Sequence, residues 1–244
     1  MCGRFALTAG PADVAAELGL AEIEDFPPRY NIAPTQPILM VVGDVPRSPG
    51  SNRPAARATL VRWGFIPSWA KDPRDMPLLI NARSETAAQK ATFRAAMRHR
   101  RTLVPASGFY EWRRGSAGRS QPFWVRPRQG GPIAFAGLME TYSQPEGSEI
   151  DTGAILTTAA SPDLADIHHR MPVVIRSEHY SRWLDCVRFE PRDVADLLAP
   201  VEEGFFEAVP VSDRVNKVAN AGPELQEPAT QAPRENATGQ LRLL

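Results

Sequence analysis

The chain has little cysteine: Cys2 and Cys186 are the only two in 244 residues. Two thiols supply neither a disulfide framework nor a zinc ligand set. No apolar run approaches the length of a membrane span, and the N-terminus lacks the hydrophobic stretch of a secretory signal. No membrane association is expected, and a reducing cytoplasmic setting is. Charge of one sign is also missing. The 28 Lys and Arg balance 28 Asp and Glu, which excludes a polyelectrolyte protein. The balance is uneven along the chain, because residues 201–244 carry four basic against seven acidic side chains. Residues 1–200 keep a mild excess of three positive charges, enough to permit a nucleic-acid groove without demonstrating one. Internal repeats are absent. No glycine-rich loop follows a strand, so a nucleotide-binding fold is not expected.

What is present is an ordinary globular composition, 43% hydrophobic and 23% charged, in a length suited to one domain. The 24 prolines argue for many turns and against a helical bundle. Residues 11–19 read as a short helix with Pro11 in its first turn and Gly19 at its end. Strands are expected at 38–42, 58–66, 122–126, 133–139, 153–158 and 205–211, and two more flank a Ser107-Gly108 turn. Residues 45–57 read as a surface loop. Thr86 and Gln89 have capping-box spacing, predicting a helix that runs toward Arg100. Further helix starts are expected at Ser161, Ser177 and Glu190. From about residue 221, Pro, Gln, Ala and Glu dominate, the composition of a solvated tail. The expected fold is α+β, a single β-rich domain over 1–225 built on a largely antiparallel, barrel-like sheet with peripheral helices, followed by a flexible tail over 226–244.

Few segments carry chemistry. Removal of Met1 would leave Cys2 with an α-amine near pKa 7.7–8.0 and a thiol near about 8.5, both nucleophiles close to neutrality. An aldehyde meeting this pair forms an imine, and the thiol can close on it to give a thiazolidine, helped by proximity. Taken alone, Cys2 reads more simply as an ordinary residue at a fraying end. Asn81-Ala82-Arg83-Ser84-Glu85 gathers polar groups after an apolar run, which also describes a turn before a helix. Glu111 stands between Tyr110 and Trp112, where desolvation would raise its pKa and suit it to proton transfer; an exposed position on an amphipathic strand is equally compatible. His168 and His169 are adjacent, and neighbouring histidines are expected to point different ways, so one at most is expected to serve as a proton shuttle. Neither has acidic or thiol ligands at metal spacing, and no metal or cofactor is expected. Arg62, Trp63, Phe65 and Trp69 mix a cation with aromatic faces, the combination that holds single strands by stacking, although core packing explains some of these rings. Arg94, Arg98, Arg100 and Arg101 would form a basic helix face.

Seven stretches in order resemble the SRAP family (SOS response-associated peptidases, also called abasic-site processing proteins): MCGRF at the start, YNIAPTQ from Tyr30, VRWGFIPSWAKD from Val61, INARSET from Ile80, LVPASGFYEW from Leu103, FAGLME from Phe135 and IHHRMPVVI from Ile167. The resemblance implies a mixed β-rich domain acting on single-stranded DNA at abasic sites. In this reading Cys2 forms a thiazolidine crosslink with the ring-opened sugar aldehyde. Asn81 positions the adduct, Glu111 moves protons, and His168 assists ring opening. Arg4 and Arg83 contact phosphates flanking the lesion, and Trp63, Trp69, Pro34 and Ser84 complete the expected DNA contacts. A monomer associated with the nucleoid when bound to DNA is implied. Thr102 and Met139 depart from the family's usual Cys and Trp. A cysteine peptidase that processes its own N-terminus, using Cys2 and His168, is a competing reading. An N-terminal-nucleophile amidotransferase is another, although the chain has no Asn-Gly pair. A non-catalytic single-strand binder is a third, and would survive loss of Cys2.

Overall fold

The computed structural model describes residues 2–43, 56–115, 120–144 and 146–229. Most of the expected loop at 45–57 and of the expected tail at 226–244 therefore lies outside the described residues. The strands in chain order are β1 (Phe5–Leu7), β2 (Arg29–Ile32), β3 (Pro37–Gly43), β4 (Ala56–Trp63), β5 (Asn81–Arg83), β6 (Arg101–Ala106), β7 (Gly108–Arg114), β8 (Ser120–Pro127), β9 (Ile133–Ser143), β10 (Glu149–Ala159), β11 (Arg170–Pro172), β12 (Val174–Ile175) and β13 (Phe206–Pro210). Among the described residues four short α-helices lie between them: α1 (Pro11–Leu18), α2 (Ser84–Ala87), α3 (Arg94–His99) and α4 (Tyr180–Leu184).

Five strands close on themselves. β3 pairs antiparallel with β4 and β6, β6 with β9, and β9 with β10. The ring is completed by a short parallel contact of β10 with β4, Thr152 to Arg62 and Gly153 to Trp63. The chain is thus a single β-rich domain around a largely antiparallel barrel. So narrow a barrel has room for few side chains inside, and it fits only because two wall positions lack one. A Cβ on Gly153 would stand 2.2 Å from Met40 Cε, and one on Gly137 would stand 2.5 Å from Thr102 Oγ1. Met40, fully buried, occupies the space these glycines leave.

The second sheet runs β13-β8-β7-β1-β2 and is antiparallel throughout. Edge-to-face aromatic pairs bind it to the barrel: Phe5 with Trp63 at 5.2 Å and Phe135 at 6.2 Å, and Phe109 with Phe135 at 6.0 Å. Each such pair is worth about 0.5–1.5 kcal/mol beyond its buried area. On the opposite face, Ala6, Tyr110 and Trp124 are covered by Val211, Val215 and Leu225. Residues past 221 have the composition of a tail, yet Pro223–Gln226 forms a 3₁₀ turn, Leu225 is fully buried, and Pro228 bridges to Val211.

Three local expectations are corrected. The helix toward Arg100 is broken: α2 stops at Ala87 and α3 starts at Arg94. Between them the chain turns so that buried Phe93 meets Phe65 at 5.2 Å. The basic helix face dissolves, because Arg101 is the first residue of β6 and almost wholly buried. Its guanidinium donates to the carbonyls of Met97, Trp183, Asp185 and Phe189 at 2.7–3.1 Å, while Arg98 and Arg100 pair with Glu190 and Glu140. The strands flanking Ser107 belong to different sheets, so this turn is a crossing from the barrel to the second sheet. Ser107 Oγ accepts from the amides of Thr8 and Ala9, which secures the end of β1 to that crossing.

Candidate active site at the N-terminal segment

The first residues are placed by the ladder that follows them. β1 pairs with β7, Phe5 opposite Phe109, and the Tyr110 amide extends the pairing by donating to the Arg4 carbonyl at 2.9 Å. Continued in the same direction, this register brings the Cys2-Gly3 segment alongside Glu111. From the barrel side, β5 lies parallel to β10, with Asn81 opposite Ile155. The Asn81 side chain donates from Nδ2 to the Cys2 carbonyl at 2.8 Å. Its other end, Oδ1, is buried without a partner among the described residues, an acceptor ready for a donor brought in from outside the chain.

Burial dominates the electrostatics. Cys2 is fully buried, which pushes its thiol above the ordinary range; the Glu111 charge adds to this and the positive amino terminus opposes it. Glu111 is 6% exposed. Burial raises its carboxyl, against the charge of the amino terminus and a hydrogen bond from the Trp112 amide. His168 is partly buried, and this lowers its pKa, with the amino terminus, His169 and Arg114 acting in the same direction. Cys2, Glu111 and His168 therefore all sense the chain's amino terminus, and Asn81 holds the backbone beside it. A hard-to-ionise thiol, a carboxyl that readily holds a proton and a neutral imidazole suit stepwise proton transfer near neutral pH.

His168 lies just before β11. Its Nδ1 accepts from the Arg170 amide at 3.0 Å, and the Arg170 carbonyl stands 3.2 Å from the same nitrogen. An amide N–H can only donate, and its contact is the shorter of the two, so the geometry favours the neutral tautomer with its proton on Nε2. His169 is exposed and stacks on His168, with ring centroids 4.4 Å apart.

The expected DNA contacts separate. Arg83 is exposed, Ser84 and Pro34 are half-buried, and Trp69 is 58% exposed. Trp63 is corrected: its indole is fully buried against Phe5 and donates to the Ile80 carbonyl at 2.9 Å. It cannot offer a face to a base. It anchors instead the residue that precedes Asn81. Arg4 is half-buried and already engaged, donating to Asn31 Oδ1 at 2.7 Å and the Val215 carbonyl at 2.8 Å. It serves the fold whether or not it also meets a phosphate.

Asn31 had no local signal in the sequence. Buried within YNIAPTQ, it receives Arg4 on Oδ1, and its Nδ2 faces the carbonyls of Val215, Lys217 and Asn220 at 3.3, 3.1 and 2.7 Å. Glu85, which reaches Arg170 with both carboxylate oxygens, stood in a polar stretch that gave it no role of its own. Only long-range pairing reveals either. Among the described residues no group of three His, Cys, Asp or Glu side chains is placed to hold a metal ion. No helix of the described residues is long and apolar enough to cross a membrane.

Residues 1–218 match the family model described as SOS response associated peptidase (SRAP). Over 230 residues the chain is 37% identical to abasic site processing protein YoqW of Bacillus subtilis, covering 93% of this chain and 99% of that protein. It is 32% identical over 236 residues to abasic site processing protein YedK of Escherichia coli, covering 93% and 100%. A crystal structure of a protein from Bacteroides thetaiotaomicron superposes with a TM-score of 0.76 at 24% identity, over 94% of this chain and all of that one.

Proposed function

This chain belongs to the SRAP family, and from that premise we propose that it binds single-stranded DNA at abasic sites and joins itself to the lesion through Cys2. The observation that carries the proposal is the seating of the Cys2-Gly3 segment between Asn81, which donates to the Cys2 carbonyl, and Glu111 of β7, with His168 facing the same amino terminus.

The chemistry follows in order. With Met1 removed, the α-amine of Cys2 adds to the open-chain sugar aldehyde, and loss of water gives an imine. The thiol then adds to the imine carbon and its proton passes to nitrogen, which closes a five-membered thiazolidine. Glu111, inclined by burial to hold a proton, gives one to the departing water and takes one from the thiol. Neutral His168 exchanges a proton with the sugar as its ring opens. Asn81 fixes the Cys2 carbonyl, and so the direction of the amine. Arg83 and Trp69, both open to solvent, meet the phosphate and a base beside the lesion. A thiol disfavoured as thiolate supports this amine-first order over direct thiolate attack on a peptide, so a peptidase reading gains nothing from the geometry.

Substitutions at Cys2 separate amine from thiol. Cys2→Ala keeps a small first residue and the amine, so it still makes an imine but cannot close the ring. An imine promotes β-elimination at the sugar. The variant is therefore expected to nick an abasic single strand and to be trapped by borohydride, whereas wild type gives a persistent, gel-resistant adduct with little nicking. A stable adduct formed equally well by Cys2→Ala would overturn the thiazolidine. Absence of adduct and nicking with every form would overturn the abasic-site reading.

A further inference from the structure

Two residues outside the proposed chemistry are tied to it by geometry. The Arg170 guanidinium is only 12% exposed although its partner Glu85 is half open to solvent. It grips both Glu85 oxygens, from Nη1 to Oε1 and from Nη2 to Oε2 at 3.0 Å, and its Nη2 also meets the carbonyl and hydroxyl of Thr157 on β10. The bond from Arg170 holds the Glu85 carboxyl below its usual range, as expected of a standing ion pair. The side chain of Arg170 is thus pinned between α2 and β10. Its backbone has a second task. The amide and carbonyl of this residue bracket His168 Nδ1 at 3.0 and 3.2 Å.

That bracket serves both states of the ring. Neutral His168 accepts the amide proton on Nδ1; a protonated ring donates from Nδ1 to the carbonyl. The imidazole therefore keeps a backbone partner whether or not Nδ1 carries a proton. The arrangement holds only while the Arg170 backbone keeps its place, and two-point guanidinium–carboxylate pairing is a stiff way to keep it. We propose that Glu85 is a positioning residue for His168, acting through Arg170: its carboxylate clamps the guanidinium, and the clamped residue's own amide and carbonyl orient the imidazole. The inference rests on the reading that His168 moves protons at the lesion, but the clamp itself can be observed without DNA.

The other charged groups facing His168 are the amino terminus, His169 and Arg114 of β7. All are unchanged in a Glu85 variant, so an effect of that variant on the ring isolates the clamp. The test is NMR of the full chain with ¹⁵N-labelled histidine, which reads ring tautomer and titration directly, beside adduct formation on an abasic single strand. Wild-type His168 is expected in the Nε2–H form at neutral pH. Glu85→Ala is expected to show a mixture of tautomers, a titration midpoint nearer that of free histidine, and adduct formation slowed about tenfold, part of what a full acid–base group provides. Glu85→Asp should recover part of each. Arg170→Lys, which keeps the charge but cannot grip two oxygens, should behave like Glu85→Ala. An unchanged tautomer and midpoint in folded Glu85→Ala would overturn the clamp. A changed tautomer with an unchanged adduct rate would overturn its role in the reaction. Absence of any adduct with wild type would instead sink the abasic-site reading, and the NMR comparison would still decide the clamp.

Discussion

Glu111 is where burial and charge conflict most directly. Its pKa is raised by desolvation. A carboxyl whose folded value exceeds its unfolded value of about 4.3 leaves stability intact below that value and removes stability as pH rises through the folded one. Glu111→Gln keeps the shape and removes the buried charge. Its melting temperature relative to wild type should therefore be more favourable at pH 8 than at pH 4, while adduct formation falls. Equal differences at the two pH values would show that Glu111 does not carry the cost of its burial. The exposure of single residues was poorly legible in the sequence. Trp63 and Trp69 sit in one run of aromatic residues, yet one is sealed in the core and the other lies open. Only the pairing of β4 with β10 and the arrival of Phe5 decide which. Asn31 is likewise defined by carbonyls from residues 215–220, far along the chain.

Strands were easier to read than helices. The expected segments at 38–42, 122–126 and 205–211 coincide, within a few residues, with β3, β8 and β13. Runs of apolar and β-branched residues bounded by turn formers depend little on distant context. The helix expected after Thr86 failed because one buried aromatic, Phe93, outweighed local propensity. Elements of the barrel make a sharp prediction. Gly153→Ala puts a methyl group into the space of Met40. Overpacking of this kind costs about 1–3 kcal/mol, which denaturant unfolding would measure. Met40→Ala, which opens a void, should destabilise alone by about 2–5 kcal/mol. Combined with Gly153→Ala it should cost less than the sum of the two. Strict additivity would show that the two positions do not share that space.

For the whole molecule, the charge balance sets the expected DNA contact. A chain of zero net charge with exposed Arg83 near the site should neutralise only a few phosphates. On a single strand bearing a stable abasic analogue, log affinity should fall with log salt at a slope of roughly −1 to −3. A slope steeper than about −6 would reveal a long basic groove, contrary to this expectation. Arg83→Glu should weaken binding while leaving the thermal melt near wild type; unaltered binding would remove Arg83 from the interface. The β-rich class was legible from proline content and strand spacing. A barrel-like sheet was expected too, but which strands close it was not legible, because the closing contact joins residues 62–63 to 152–153, a pairing no local pattern announces.

The complete burial of Cys2 also has a consequence in time. Its amine is among the first groups to leave the ribosome, but Asn81, Glu111 and His168 are all made later. At bacterial-type rates of 5–20 residues per second, His168 follows Cys2 by roughly 10–30 s. During that interval the unfolded N-terminus is open to an aminopeptidase; in the folded chain Cys2 is buried, which slows excision there. Maturation of the proposed nucleophile is therefore a race between excision of Met1 and folding. Chains that fold first would remain intact, correctly folded and unable to form the crosslink.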